Sequence, residues 1–380
     1  MAAHYLLKSE ARDITLDVIE KMSELDVRRM FSVARWGQAD RQTCPACGTI
    51  DAHYWKPSCK QWQCRASGCF KMFSLLSGSK FGAAKLPPKK LLRMLFTFVT
   101  HAKGVSAVHM SREHGVSYKT AYVLMQKLRE ALMVSVDDTK LAGLVHVDGA
   151  HAGGKVRKAN KKADRQKRQQ RDKIPDVVTQ LHPNRRILMV GRSVEPGVGG
   201  VRSVVASVRS ETAANVLPFV RRHVEKGSKL HTDESPAYNE LGLQFDHRSV
   251  NHSKEFQTDD GVDNNQVESF FTRFRRMYFG QLHRMEPKYL IEYASEIAWR
   301  EDTRRESALV MLEGMLRVAL RTGESAFWRG YHQGHRRAGE ILFPATVKQA
   351  VVEARLDAVE NKIRKAEKKA MRAAKPTAPP

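Results

Sequence analysis

The chain has 380 residues, of which 42% are hydrophobic and 28% charged, an ordinary soluble balance that excludes a mainly disordered chain. Lys and Arg number 65 against 41 Asp and Glu, a formal charge of +24. Such a field attracts polyanions, nucleic acid first among them. The greasiest stretch, LLRMLFTFVT at 91–100, is too short to span a bilayer and carries Arg93, so no membrane partner is expected. The N-terminus shows no apolar signal region, which points to the cytoplasm.

In chain order, 1–40 has a helical rhythm, with Ile14, Val18, Met22 and Leu25 at three- and four-residue steps. The five cysteines all fall between 44 and 69. Clustered thiols in a reducing compartment point to metal rather than disulfides. Cys44 and Cys47 form the knuckle CPACG, and Cys64 and Cys69 follow at C-x4-C spacing, with Gly48 and Gly68 beside them. Two thiolate pairs give the tetrahedral sulfur shell that structural Zn²⁺ prefers. Cys59 is the odd thiol and an alternative ligand.

KLPPKK at 85–90 reads as a break, since Pro87 and Pro88 cannot sit inside a helix. Residues 89–135 then read as helices interrupted near Gly104 and Gly115. GVSAVHMSREHGVSYKTAYVLMQKLREAL fits a helix-turn-helix: Val105, Val108 and Met110 are apolar on the first helix, and Val123, Leu124 and Leu128 on the second. Ser117 is placed to N-cap the second helix. That leaves Tyr118, Lys119 and Thr120 at its exposed start, where base edges are read.

From 144 the pattern becomes α/β. LVHVDG, RRILMVGRSV (185–194) and VRSVVASV (201–208) are strand-like; 212–224 is helical; KLHTDE (229–234) and FDHRSVNH (245–252) are strand-like. NNQVESFFTRFRRMYFG (264–280) reads as a helix with Gly280 as its C-cap. Residues 155–173 form a basic run with Lys155, Arg157, Lys158, Lys161 and Lys162, expected as a mobile loop on the phosphate backbone. The segment after 305 reads as helical, with a highly charged stretch at 352–375 and a PTAPP tail.

Asp148 and Asp233 each end a predicted strand, and Glu268 lies on the following helix. Three hard oxygen donors suit Mg²⁺ or Mn²⁺, and two such ions support in-line phosphoryl transfer. Arg275 lies seven residues beyond Glu268, about two turns on, where a cation would hold DNA phosphate.

The chain resembles the bacterial insertion-sequence transposases that join an N-terminal zinc ribbon to a DDE-type, RNase H-like nuclease core. CPACG, WQCRASGCFKMFSLLSGSKF, KLPPKKLL and the helix-turn-helix stretch carry the resemblance, followed by HVDGAHAGGK, LHTDESPAY, NNQVESFFTRFRRMYFG and YASEIAWREDTRR. It covers about residues 20–305. It implies double-stranded DNA as partner, cleavage and strand transfer at terminal inverted repeats, a homo-oligomer on DNA, and a cytoplasmic, nucleoid-associated protein. It implies divalent metal at Asp148, Asp233 and a third position, which the family fills with Glu or Asn. Glu268 is the choice here because carboxylate binds Mg²⁺ better than amide, and Asn265 is the alternative. Arg275 stands where the family usually has Lys, and the second cysteine pair is wider than the usual C-x2-C.

The expected fold class is multidomain α+β. It divides into an N-terminal helical segment (1–40), a zinc ribbon (41–84), a helix-turn-helix-like domain (85–140), an RNase H-like α/β core (141–305) and a helical C-terminal extension (306–380). Two other readings fit the same residues. One is a catalytically inactive, transposase-derived DNA-binding regulator, which a metal-dependent nicking assay distinguishes. The other is a related RNase H-like nuclease, which inverted repeats flanking the reading frame would exclude.

Overall fold

The computed structural model describes residues 5, 8–50, 53–153, 185–250, 258, 260–282, 285–337 and 339–373. Helix α1 (Leu16–Lys21) starts at Thr15, whose hydroxyl accepts the Val18 N–H at 3.3 Å. Met22 is extended (ψ 136°) and breaks the helix, and Ser23 opens α2 (Glu24–Trp36) with a reciprocal capping box to Asp26. The helical rhythm read over 1–40 is thus present as two helices, with Ile14 and Met22 against the core. Ile19, Val27 and Phe31 are buried, while Val18 and Leu25 are exposed.

Strands β1 (His53–Lys56), β2 (Gln61–Cys64) and β3 (Met72–Phe73) form an antiparallel sheet. Its inner residues Trp62, Cys64 and Phe73 are buried. Pro87 and Pro88 do not merely interrupt the chain. They are the N-cap and first residue of α3 (Pro88–Thr100), where the missing N–H costs nothing. Helices α4 (Ala107–Glu113) and α5 (Tyr118–Ser135) follow, with Gly115 at φ +56° between them.

The second sheet has five strands: β4 (Leu144–Gly153), β5 (Arg185–Glu195), β6 (Gly199–Val208), β7 (Lys229–Asp233) and β8 (Asp246–Val250). Their order is β6-β5-β4-β7-β8. β4, β5 and β6 pair antiparallel, while β7 and β8 join in parallel. One face packs Val145, Val147, Ile187 and Met189 against α6 (Ala213–His223), Tyr238 and Leu241. The other packs Ala150, Ala152, Leu188 and Val190 against α7 (Asn265–Met277) and α8 (Leu290–Asp302). Gly280 does not cap α7: the helix runs on from Tyr278 into a π-helical turn ending at Leu282.

α9 (Ala308–Arg321) lies in the same apolar cluster as α2, α3, α5 and the small sheet, with Leu312, Met315 and Leu316 fully buried beside Phe31, Phe73 and Leu95. Residues from both ends of the chain thus close one core. The segment after 305 holds two helices, α9 and α10 (Val347–Ala373), and between them the described residues are helical only at the short 3₁₀ turn Tyr331–Gln333. That stretch is rich in Gly and buries Phe327 and Trp328 by side-chain packing instead.

Helix α8 welds the two halves. Buried Glu296 accepts from Arg129 of α5 at 2.6 Å and from Arg300 at 2.7 Å. Arg300 also donates to the carbonyls of Phe98, Val99 and His101, at the otherwise unsatisfied end of α3. Buried Arg192 of β5 donates to Glu301 at 3.0 Å and to the Gln266 carbonyl at 3.0 Å. Gly200 leaves room for it, since a Cβ there would fall 2.0 Å from the Arg192 Nε. No described helix is long and apolar enough to cross a membrane.

Candidate active site and metal centre

Asp148 is not at the end of its strand. Gly149 and Ala150 read as a stop, but pairing with β5 carries β4 on to Gly153, and Asp148 lies opposite Val190. The strand end is one-sided: pairing with β7 stops at His146–His231. Those two imidazoles stack at 5.3 Å on one face of the parallel pair. Asp148 and Asp233 are each two residues further along their strands, so they follow on that same face. Asp233 is the last residue of β7, as expected, and accepts the Glu234 N–H at 2.7 Å.

Glu268 stands in the first turn of α7. Burial first, and then the charges of Glu211, Asp233 and Glu268, push the Asp148 carboxyl up to about 8. The predicted acids therefore share one electrostatic neighbourhood. Asn265, the alternative to Glu268, is exposed at the first helical residue, its N–H donating to Asp263 at 2.9 Å. Its neighbour Asn264 is fully buried and donates to the Val147 carbonyl at 3.5 Å, which seats α7 against β4 next to Asp148. Arg275 is exposed two turns along, its guanidinium 5.9 Å from the Phe271 ring centre.

Sequence reasoning missed Glu211. It precedes the Thr212 cap of α6 and reads as an ordinary acid near a helix start. In the fold it sits over Gly149, where a Cβ would meet its carboxyl carbon at 2.7 Å. Buried Tyr238 donates its hydroxyl proton to Glu211 at 2.5 Å. Burial and nearby Asp233 raise the Glu211 carboxyl above its usual range. The glycine after Asp148 was the one available signal, since a strand glycine often marks close approach. Glu211 also lines a cleft of about 140 Å³ with His151, Arg185, Arg209 and Ser235.

The donors fit a hard divalent ion in chemistry, being carboxylates that crowd and repel one another. They are not gathered as tightly as the thiols. Among the described residues, Cys44, Cys47, Cys64 and Cys69 are the one close metal-ligating group, with ligand atoms all within 4.8 Å. Cys44 and Cys69 sulfurs are 3.8 Å apart, and those of Cys47 and Cys64 are 3.5 Å apart. Gly48 (φ +77°) and Gly68 (φ +76°) supply the left-handed turns beside them. Cys59 is exposed outside the group, directed at the Lys56 carbonyl. The wide second pair therefore still completes a four-sulfur shell suited to structural zinc.

At the start of α5, the Ser117 hydroxyl accepts the Thr120 N–H at 3.1 Å, and the two hydroxyls lie 2.9 Å apart. Thr120 is thus half-buried and engaged in the cap, not free at the surface. Tyr118 is exposed and stacks on Tyr122 with centroids 6.0 Å apart. Lys119 is exposed, 5.8 Å from the Tyr331 ring centre. Lys155, Arg157, Lys158, Lys161 and Lys162 lie outside the described residues.

A comparison with curated proteins gives no match. A comparison with protein families does: residues 140–302, from the edge of β4 to the last residue of α8, match the ISXO2-like transposase domain. The five-stranded sheet with Asp148 and Asp233, Glu211 ahead of α6, and Glu268 on α7 all lie in the region that matches this insertion-sequence transposase domain.

Proposed function

We propose that this protein is a DDE-type transposase that binds the terminal inverted repeats of an insertion sequence, cleaves DNA there and joins the freed 3′ end to target DNA. The observation that carries the reading is the match of 140–302 to a transposase domain, and the charges of Asp233 and Glu268 acting on buried Asp148 within it support the choice of acids. The strand order, three antiparallel and two parallel, supports an RNase H-like core.

Asp148, Asp233 and Glu268 would hold two Mg²⁺ or Mn²⁺ ions, and Asn265 is the weaker candidate because it is exposed. When bound, the ions would supply an activated water or 3′-hydroxyl and stabilise the leaving oxygen. Glu211 steadies the cluster from the α6 side, with Tyr238 fixing its carboxylate. Arg275, Arg185 and Arg209 would place the phosphate backbone. The four-thiol sheet holds structural Zn²⁺. Tyr118 and Lys119 would meet DNA, with the basic run 155–173 adding salt-dependent affinity. Two or more copies would act together on the DNA.

The test is metal-dependent nicking of terminal-repeat DNA by the full chain. Asp148→Ala, Asp233→Ala and Glu268→Ala should each keep DNA binding and lose cleavage by at least ~100-fold. Asn265→Ala should cut nearly normally. Cleavage lost in Asn265→Ala but kept in Glu268→Ala would exchange their roles. Parental rates in all three acid variants would sink the assignment. A parental chain that binds end DNA yet never cuts it would be a regulator instead.

A further inference from the structure

Helix α10 (Val347–Ala373) spans about 40 Å at 1.5 Å per residue. Its start is anchored, where Val351 is buried with Phe327 and Trp328, and Val347, Ala350 and Ala354 pack beside them. From Arg355 to Asn361 every residue is exposed. Yet the exposed surface is not uniformly polar. Val352, Leu356, Val359 and Ile363 are 55%, 58%, 53% and 53% exposed. Their spacing of four, three and four is the d-a-d-a seam of a heptad. A merely solvated helix has no reason to align its apolar residues along one line.

The flanking charges follow the same heptad. Position e holds Glu353, Glu360 and Glu367, and position g holds Arg355, Lys362 and Lys369. In a parallel, in-register pair of such helices, each g residue faces the e residue of the next heptad on the other helix. Arg355 then meets Glu360, and Lys362 meets Glu367, all with opposite sign. An antiparallel pair would set Glu against Glu and Lys or Arg against Lys or Arg. Acidic residues flanking the seam on one side also disfavour DNA or an anionic lipid surface as its cover.

We propose that α10 pairs with α10 of a second copy of this chain as a short parallel coiled coil. The complementary e and g charges choose both the partner and the direction. The seam is short, so association is concentration-dependent and does not require DNA. The proposal rests on α10 alone and is independent of the catalytic reading.

The test is sedimentation equilibrium of the DNA-free, zinc-loaded full chain over a range of concentrations. The 43.1 kDa chain should pass from one copy to two as concentration rises. Leu356→Asp with Ile363→Asp should weaken association at least ~10-fold without changing the melting curve at dilutions where the parent is single, since both side chains are exposed. Glu360→Lys with Glu367→Lys should abolish it, as should Arg355→Glu with Lys362→Glu. A mixture of those two variants should pair again. In a Cys59→Ser background, Val359→Cys should cross-link between copies on oxidation, which only a parallel register allows. A chain that stays single at every concentration overturns the proposal, as does a dimer indifferent to Leu356→Asp with Ile363→Asp. A seam variant that stays single like its parent but loses DNA affinity would make this face a DNA contact and overturn it too.

Discussion

Gly149 lies directly beneath Glu211: any side chain at 149 would begin 2.7 Å from the Glu211 carboxyl carbon. The residue after Asp148 is glycine because a second acid needs the space above it. Gly149→Ala should therefore keep the fold and displace Glu211. We expect cleavage to fall by about tenfold to a hundredfold, with Glu211→Gln showing a similar loss, and Mn²⁺ affinity measured calorimetrically should weaken in both. Unchanged metal affinity in both variants would remove Glu211 from the site.

The Asp148 carboxyl, raised from 3.8 to about 8, makes the metal-free chain pH-sensitive. A carboxyl whose folded pKa is raised favours the folded chain while protonated. That contribution is complete below about 4 and is lost as pH rises through about 8. The metal-free parent should therefore lose stability relative to Asp148→Asn across this window. Protons compete with the ions for the same oxygens, so Mn²⁺ should raise the melting temperature more at pH 8 than at pH 6. A parent–variant difference flat with pH would contradict this.

Glu296 is fully buried between Arg129 and Arg300. Glu296→Ala leaves two buried guanidinium groups without their partner and frees the end of α3. A loss of about 3–5 kcal/mol is expected in denaturant unfolding. Gly200→Ala should cost about 3 kcal/mol by displacing buried Arg192. A near-neutral result for either would mean that the arginines relax into solvent.

Metal analysis should find about one zinc per chain, kept in Cys59→Ser and lost in Cys64→Ser. Chelation should lower the melting temperature of the whole N-terminal half and not of the small sheet alone. Cys44, Cys64, Trp62 and Phe73 share one apolar cluster with α2, α3 and α9. For the same reason DNA binding should be assayed on the full chain, since a piece covering 40–135 lacks helices that close its core.

Lys119→Ala should weaken binding to all duplexes and reduce the salt slope by about one. Tyr118→Ala should reduce the preference for terminal-repeat DNA. Equal effects on random and terminal DNA from both variants would leave electrostatic binding alone in this region.

The sequence by itself determined whatever depends on residues near one another in the chain. The thiol pairs, the Ser117 cap, the Gly115 turn, β5 to β8 and the helix carrying Glu268 were all legible, because spacing and local hydrogen bonding fix them. The break at Met22 between α1 and α2 was not legible, because the apolar spacing continues across it. The extent of β4 was misread because a strand's length depends on its neighbour, and β5 holds Asp148 in a ladder that runs on to Gly153. Only the tertiary structure brought Glu211 over Gly149, put α9 in a core begun at Ile14, and joined Glu296 to Arg129 and Arg300. Each of these joins residues far apart in the chain, and what decides them is the burial of charge and volume when separate elements meet.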